Sequence, residues 1–325
     1  MKPIRLGIYS AFFFAFTFVL NRSMELSGGN FAWSASLRYF FMVPFLLVIV
    51  IMRKNLRPLL AEIKREPGKW ILWSTVGFGL FYAPLCFAAV YGPAWLIAST
   101  WQITIISGAL LAPLFYEVKM TKQGPLNTRG KISFSGLSMS LFILAGVILM
   151  QIEHAGKIGM EEIALGFIPV VIASFAYPLG NRKMMYVVQG RLDTYQRVLG
   201  MTIASLPFWV ILAGYAYFTS GAPSFEQSYQ SALVALLSGV FATVLFFKAT
   251  EMVQGNMSKL VAVEATQSME VLFATAGEIM LLSVALPGLL SCIGIAFVVV
   301  GMVLHSYFTA KITEEKTGEI SPTTM

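Results

Sequence analysis

The chain has 325 residues, of which 57% are hydrophobic and only 12% charged, with a net charge of +7 and a mean hydropathy of +0.74. A soluble domain carries about 25% charged residues, so this composition excludes ordinary water-soluble folds. The basic residues are spread over several short stretches rather than gathered on one face, which argues against a nucleic-acid partner.

Ten long apolar segments follow in chain order: 6–21, 33–52, 70–91, 94–115, 132–151, 164–180, 197–218, 231–250, 257–281 and 286–308. Each is near the length that crosses about 30 Å of hydrocarbon at about 1.5 Å per residue. The first begins Met1-Lys2-Pro3-Ile4-Arg5 like a signal peptide, but Asn21-Arg22-Ser23 offers no small-residue cleavage site, so it reads as a retained helix. When the segments are threaded back and forth, 20 of the 23 lysines and arginines fall on one side; Arg22 and Lys157 lie on the other, and Arg38 within segment 2. Basic residues resist translocation, so the expectation is a multi-pass protein of the cytoplasmic membrane with both termini in the cytoplasm.

Polar residues inside the segments mark candidate functional positions. Segment 1 carries Ser10, Thr17 and Asn21 at helical spacing, with Glu25 just beyond its outer end; segment 2 carries Arg38, and segment 3 Tyr82. In segment 4, Ser99 and Gln102 share one line, Thr100, Thr104 and Ser107 another, and Trp101 lies between them. Segment 6 ends with Tyr177 and Pro178, the proline marking a kink, a hinge or a plain helix end. On segment 9, read as continuous helix, Glu264, Gln267 and Ser268 share one face and Thr266 and Glu270 a neighbouring one. Strips from segments 1, 4 and 9 are expected to line one aqueous cavity. The alternative for the serines and threonines is bonding to their own backbone or gluing helices together. Trp33, Trp70, Trp73 and Trp95 sit near segment ends, as in an aromatic belt.

Arg38, Glu264 and Glu270 are expensive in a membrane, at roughly 2.5–3.5 kcal/mol each on an insertion scale, so they should face the bundle interior. A carboxylate desolvated there holds a proton more readily, because burial disfavours the charged form. Proton exchange competing with an organic cation would drive efflux, with Trp101, Tyr82 and Tyr177 holding the cation by its face. The alternatives are a structural ion pair of a glutamate with Arg38, Lys248 or Lys259, and an Arg38 that holds a substrate carboxylate. Glu117 and Glu278, at segment ends, are expected to be structural.

Five segments per half is odd, so related halves must be inverted. Gly79 and Gly239, Gly92 and Gly255, Gln102 and Gln267, and Glu117 and Glu278 recur in the same order in segments 3–4 and 8–9, and Gly146 matches Gly301 in segments 5 and 10. With the stretches Ala176-Tyr177-Pro178-Leu179-Gly180-Asn181-Arg182 and Val263-Glu264-Ala265-Thr266-Gln267-Ser268-Met269-Glu270-Val271, the chain resembles the drug/metabolite transporter superfamily, in its multidrug resistance efflux branch. The resemblance implies an all-α integral membrane protein of ten transmembrane helices in two inverted five-helix repeats, residues 1–157 and 158–325, with a central cavity and alternating access. The related small multidrug resistance proteins carry a glutamate mid-way along helix 1; this chain has none there, so a coupling carboxylate must come from elsewhere.

The expected function is therefore secondary active export of small organic compounds, proton-coupled through Glu264 or Glu270, with Gln267, Gln102, Trp101, Arg38, Tyr82, Tyr177 and Asn21 lining the site. The alternatives are an uncoupled metabolite or amino-acid exporter with Arg38 on an anionic group, and more remotely a receptor or scaffold. Partners are a small-molecule substrate, a proton and the lipid bilayer. The glycines of segments 5 and 10 permit either internal packing or a homodimer. An enzyme is not expected, since Asp193 is the single aspartate and HExxH, G-x-S-x-G and nucleotide-binding loops are missing from the sequence; neither cofactor nor metal is called for.

Overall fold

A computed structural model of the chain describes residues 2–121, 124–129, 132, 134–155, 159–253, 263 and 266–318. Helices α1 (Lys2–Leu26), α2 (Phe31–Met52), α3 (Leu56–Arg65), α4 (Pro67–Tyr91) and α5 (Ala94–Leu110) come first. An antiparallel hairpin of β1 (Tyr116–Thr121) and β2 (Gly124–Arg129) follows, pairing Tyr116 with Arg129 and Thr121 with Gly124. Then come α6 (Phe134–Ala155), α7 (Met160–Val188), α8 (Thr194–Ser220), α9 (Phe225–Phe246, continued by Thr243–Glu251), α10 (Met269–Leu282) and α11 (Leu289–Gly318).

Among the described residues α1, α2, α4, α7, α8 and α9 are each long and apolar enough to cross a bilayer, and Ala94–Leu110, Leu141–His154 and Leu289–Leu304 are shorter apolar helices. The spanning elements are all helical, as expected, and the 116–129 connection between them folds as a strand pair. A correction concerns segment 6: α7 runs on to Val188, past Pro178. A mid-helix proline frees the carbonyl four residues before it. Here that carbonyl is Ser174 O, and the Thr104 hydroxyl donates to it at 3.2 Å, so the helix continues.

Side chains cap several helix starts. Asn30 Oδ1 accepts from Ala32 N at 2.8 Å to cap α2. Asp193 and Gln196 form a reciprocal capping box on α8, which gives the single aspartate a structural task. Glu278, completely buried, accepts from Ala94 N and Trp95 N at 2.9 and 3.1 Å, capping α5 where Pro93 has no side-chain acceptor. The structural role expected for Glu278 is what these bonds provide. Glu278→Ala should lower stability by about 1–3 kcal/mol, since two buried N–H groups lose their acceptor; thermal unfolding in detergent measures it.

Contacts group the turns at two ends. At one, Asn30 Nδ2 donates to Ser220 Oγ, Trp33 Nε1 to Gly221 O and Arg22 to Ala89 O. At the other, α3 and the α7–α8 turn meet: Arg191 donates through Nε and a terminal nitrogen to Glu62 at 3.0 and 2.6 Å, and Asn55 Nδ2 donates to Asp193. The Arg191 hydrogen bonds hold the Glu62 carboxyl below the usual carboxylate range. A depressed folded pKa contributes stability that is present at neutral pH and is lost as pH falls from about 4.5 through the folded value. Below about pH 4.5 the wild-type melting temperature should therefore drop more steeply than that of Glu62→Gln.

The helix pairs share a hidden regularity. Numbered by the ten segments, the extensive contacts include 1 with 8, 1 with 9, 2 with 7, 2 with 8, 3 with 6, 3 with 7, 4 with 6, 4 with 9 and 5 with 10. Exchanging every segment for the one five places along maps these pairings onto themselves, whereas the equally extensive pairing of 2 with 3 has only a weak counterpart in 7 with 8. Both middle helices that exchange, α4 and α9, also hold a π-helical stretch, Thr75–Gly79 and Ala235–Ala242. Such stretches are rare and frequent at functional sites.

Glycine lets several of these pairs touch. A Cβ built on Gly146 or Gly294 would collide with the carbonyl of the other, and one on Gly301 would meet Ile143 N at 2.8 Å, so these glycines serve the α6–α11 contact inside the chain. Trp70 and Trp95 are buried at 0% and 7% exposure, which corrects their assignment to an interfacial belt. Trp70 lies over Gly200 of α8 and beside Leu59 of α3, filling space that glycine leaves.

Candidate functional site

The site is built where α1, α2, α4, α5, α7, α9 and α10 approach one another. Helix α5 is interrupted within segment 4: Ala94–Trp101 and Ile103–Leu110 are separated at Gln102, whose N–H donates to Ser99 O, three residues back. Ser99, Thr100 and the Gln102 amide donate to the carbonyls four residues back, Trp95, Leu96 and Ala98. Such back-bonding bends helices. Segment 9 is likewise interrupted, with Thr266–Ser268 in a 3₁₀ turn before α10 and Thr266 donating to Val263 O.

That interruption corrects the continuous face expected for segment 9. Gln267 donates to Gly7 O of α1 and to Thr266 Oγ1, both at 3.4 Å, and so ties α1 down instead of joining the glutamate. Glu270 opens α10, is 5% exposed, and lies within electrostatic reach of the Gln102 side chain across the α5–α10 contact. Glu264 and Lys259 lie outside the described residues.

Next to Gln102, Trp101 packs on Tyr177 with ring centres 5.6 Å apart, and Phe81 bridges the two at 5.0 and 4.6 Å. Phe81 was not anticipated from sequence; its only signal there is its place beside Tyr82, just after the glycines of the π stretch. Tyr82 is fully buried, donates to Asn21 Oδ1 at 3.0 Å, and presents its face to the Arg38 guanidinium 4.0 Å away. Arg38 donates to Ser238 Oγ at 3.1 Å and at 3.5 Å to Thr17 Oγ1, and its Nε, buried, has no partner. Ser238 belongs to the π stretch of α9 and also went unnoticed, hidden in the apolar run Ala235–Ala242.

The expected ion pair between Glu270 and Arg38 is not formed. Among the described residues the ion pairs are Arg53 with Asp193, Lys69 with Glu66 and Arg191 with Glu62, none of which reaches into this region. Neither do the serines and threonines line a common aqueous hollow. Ser10 donates to Ala242 O, Thr17 to Ser238, and Ser107 pairs with Ser174, so they join helices, because an unpaired hydroxyl in a dry interior costs more than a contact. Arg38, Tyr82, Trp101, Gln102 and Glu270 are each at most 8% exposed, packed against one another. A cavity of about 320 Å³ lies elsewhere, lined by Arg65, Lys69, Trp73, Lys183, Tyr186 and Arg191 at the basic end.

The stretch around Tyr177 now has a physical reading residue by residue. Tyr177 forms the aromatic wall and Pro178 frees the carbonyl that Thr104 takes. Gly180 sits where α4 and α7 cross, against Gly77 and Trp73 O. Asn181 Nδ2 donates to Tyr177 O at 2.9 Å, and Arg182 to Gly108 O at 2.8 Å, tying α7 to α5. Segment 1 also reaches further than expected: α1 continues to Leu26 and takes Glu25 into its last turn, where Oε1 is buried without a partner.

Apolar spans enclosing buried charged and aromatic groups define a multi-pass membrane protein with a polar interior, the architecture of a transport protein. The chain belongs to the EmrE family of multidrug resistance efflux transporters, whose profile, described as "Putative multidrug resistance efflux transporter", matches residues 1–311. It is 56% identical over 307 residues to "Uncharacterized protein YjlA" of Bacillus subtilis (strain 168), covering 94% of this chain and 95% of that one. A protein of Shouchella clausii, called "Uncharacterized 42.1 kDa protein in intracellular alkaline protease 3'region", is 46% identical over 270 residues, 83% of this chain and 70% of its own length. A solved structure described only as "Crystal structure of protein" shares the fold, with a TM-score of 0.61 at 10% identity, over 95% of this chain and 98% of that one.

Proposed function

We propose that the protein exports small organic compounds, drug-like cations or metabolites, across the cytoplasmic membrane by alternating access, and that inward proton flow through Glu270 drives it. The observation that carries the reading is a carboxylate 5% exposed, with no cation among the described residues paired to it, within electrostatic reach of Tyr177, whose ring packs with Phe81 and Trp101. Such a group is stable in the interior when protonated, or when an organic cation lies over the neighbouring rings. Proton and substrate then compete for one position, and the competition couples their opposite movements. Glu264, one step earlier in segment 9, is the second candidate for the same exchange.

The pairings that survive exchange of segments five apart support two related five-helix repeats, residues 1–157 and 158–325; our reading adds that they are inverted, with ten crossings and, from the bias of basic residues, both termini in the cytoplasm. The packed centre corresponds to a closed state of the cycle, and the π stretches of α4 and α9 and the breaks in segments 4 and 9 are places where the helices can re-bend. Purified protein in liposomes, given an outward pH difference and a panel of organic cations, should transport at least one in exchange for protons. Transport indifferent to pH, in every case, would remove the coupling.

A further inference from the structure

Arg38 and Glu270 are opposite charges buried in the same interior, and among the described residues neither has a countercharge. Arg38 is held by two hydroxyls and a ring face, none of which neutralises it. Its Nε is buried and unpartnered, so one edge of the guanidinium fork remains open. Glu270 lies within reach of the neutral Gln102. Evolution of a purely structural pair would bring the two together, because removing one partner of a buried ion pair is strongly destabilising. Instead a chain of ring contacts leads away from Arg38: Tyr82 under Arg38, then Phe81 at 6.0 Å, then Tyr177 at 4.6 Å and Trp101 at 5.0 Å, and Tyr177 lies within electrostatic reach of both Arg38 and Glu270.

We infer that the substrate is a zwitterion with an apolar spacer, whose carboxylate docks on the Arg38 fork and whose ammonium replaces the proton on Glu270, the spacer lying along Tyr82, Phe81, Tyr177 and Trp101. The inference rests on the exporter reading and narrows its substrate class. A planar guanidinium with Nε free matches a carboxylate in two parallel hydrogen bonds, which a lysine cannot reproduce. An ammonium is small enough to take the place of a proton and is attracted by the ring faces beside it. Each substrate charge neutralises one protein charge, so the loaded site carries no net buried charge. A simple cation would leave Arg38 uncompensated, and a simple anion would leave Glu270 so.

The test uses three probes of one shape: the dipeptide phenylalanylalanine, its C-terminal amide and its N-acetyl derivative, each supplied to proteoliposomes with a pH difference. Wild type should carry the dipeptide about tenfold faster than the amide or the acetyl form, the discrimination expected of one charge-assisted contact. Arg38→Gln should erase the difference in rate between the dipeptide and the amide. Arg38→Lys, which keeps the charge, guards against misfolding of the glutamine variant and should raise the KM for the dipeptide alone. Equal rates for dipeptide and amide in wild type, or an unchanged ratio in both variants, would overturn the zwitterion while leaving the exporter intact. Lack of pH-driven movement of all three probes and of the organic cation panel would remove the exporter reading itself.

Discussion

Glu270→Gln is expected to abolish pH-driven transport in proteoliposomes while leaving the protein folded. Glutamine keeps the shape, so the α5–α10 contact survives; what is lost is a group that exchanges a proton for a cation. Downhill exchange of substrate without a pH difference should persist at a reduced rate, because the aromatic wall of Phe81, Trp101 and Tyr177 remains. Removing a buried charge with no cationic partner among the described residues should also leave the melting temperature unchanged or raise it. Full pH-driven transport in this variant would shift the coupling role to Glu264, and full transport in both single glutamine variants would end the segment 9 mechanism.

Gly180→Leu should be the most damaging single substitution in the fold. A Cβ at Gly180 would overlap Gly77 Cα and N and come 2.9 Å from Trp73 O, so it meets backbone on both sides of the α4–α7 crossing. Backbone cannot rotate aside as a side chain does, and overpacking costs typically about 1–3 kcal/mol, more where helices must part. The same crossing carries Phe81 and Tyr177 to the site, so residual folded protein should show weakened transport as well. Gly214→Leu is the matched control, since nothing lies within 4 Å of a Cβ built there, and its melting curve should stay near wild type. Equal loss in the two variants would mean that helix propensity or lipid exposure, not the crossing, sets the cost.

Much of the architecture was legible because membrane insertion is a local property. An apolar stretch of the right length, such as 33–52 or 197–218, is favoured in lipid wherever its neighbours are, so α2 and α8 appear within a few residues of their expected limits. Recurrent glycines in segments 3 and 8 marked helices that turn out to contain π stretches. Helix continuity was less legible. Pro178 was open to reading as a kink, a hinge or an end, and α7 passes through it with the freed Ser174 carbonyl accepting from Thr104, on another helix. Segment 9 looked continuous, and its hydroxyls bend it into a 3₁₀ turn.

By itself the sequence determined that this chain lives in a membrane, where its apolar segments lie, and which few charged and aromatic residues are too costly to be accidental. Those follow from transfer free energies summed along short stretches. Only the tertiary structure decided that Glu270 meets Gln102 and not Arg38, that Gln267 holds α1, that Ser238 serves Arg38, and that Phe81 completes the aromatic wall. Those outcomes depend on partners far away along the chain, as Thr17 and Ser238 are, 221 residues apart. A side chain's inventory of donors, acceptors and charge is written in its own residue, whereas its countercharge or its absence is supplied by whichever helix packs against it.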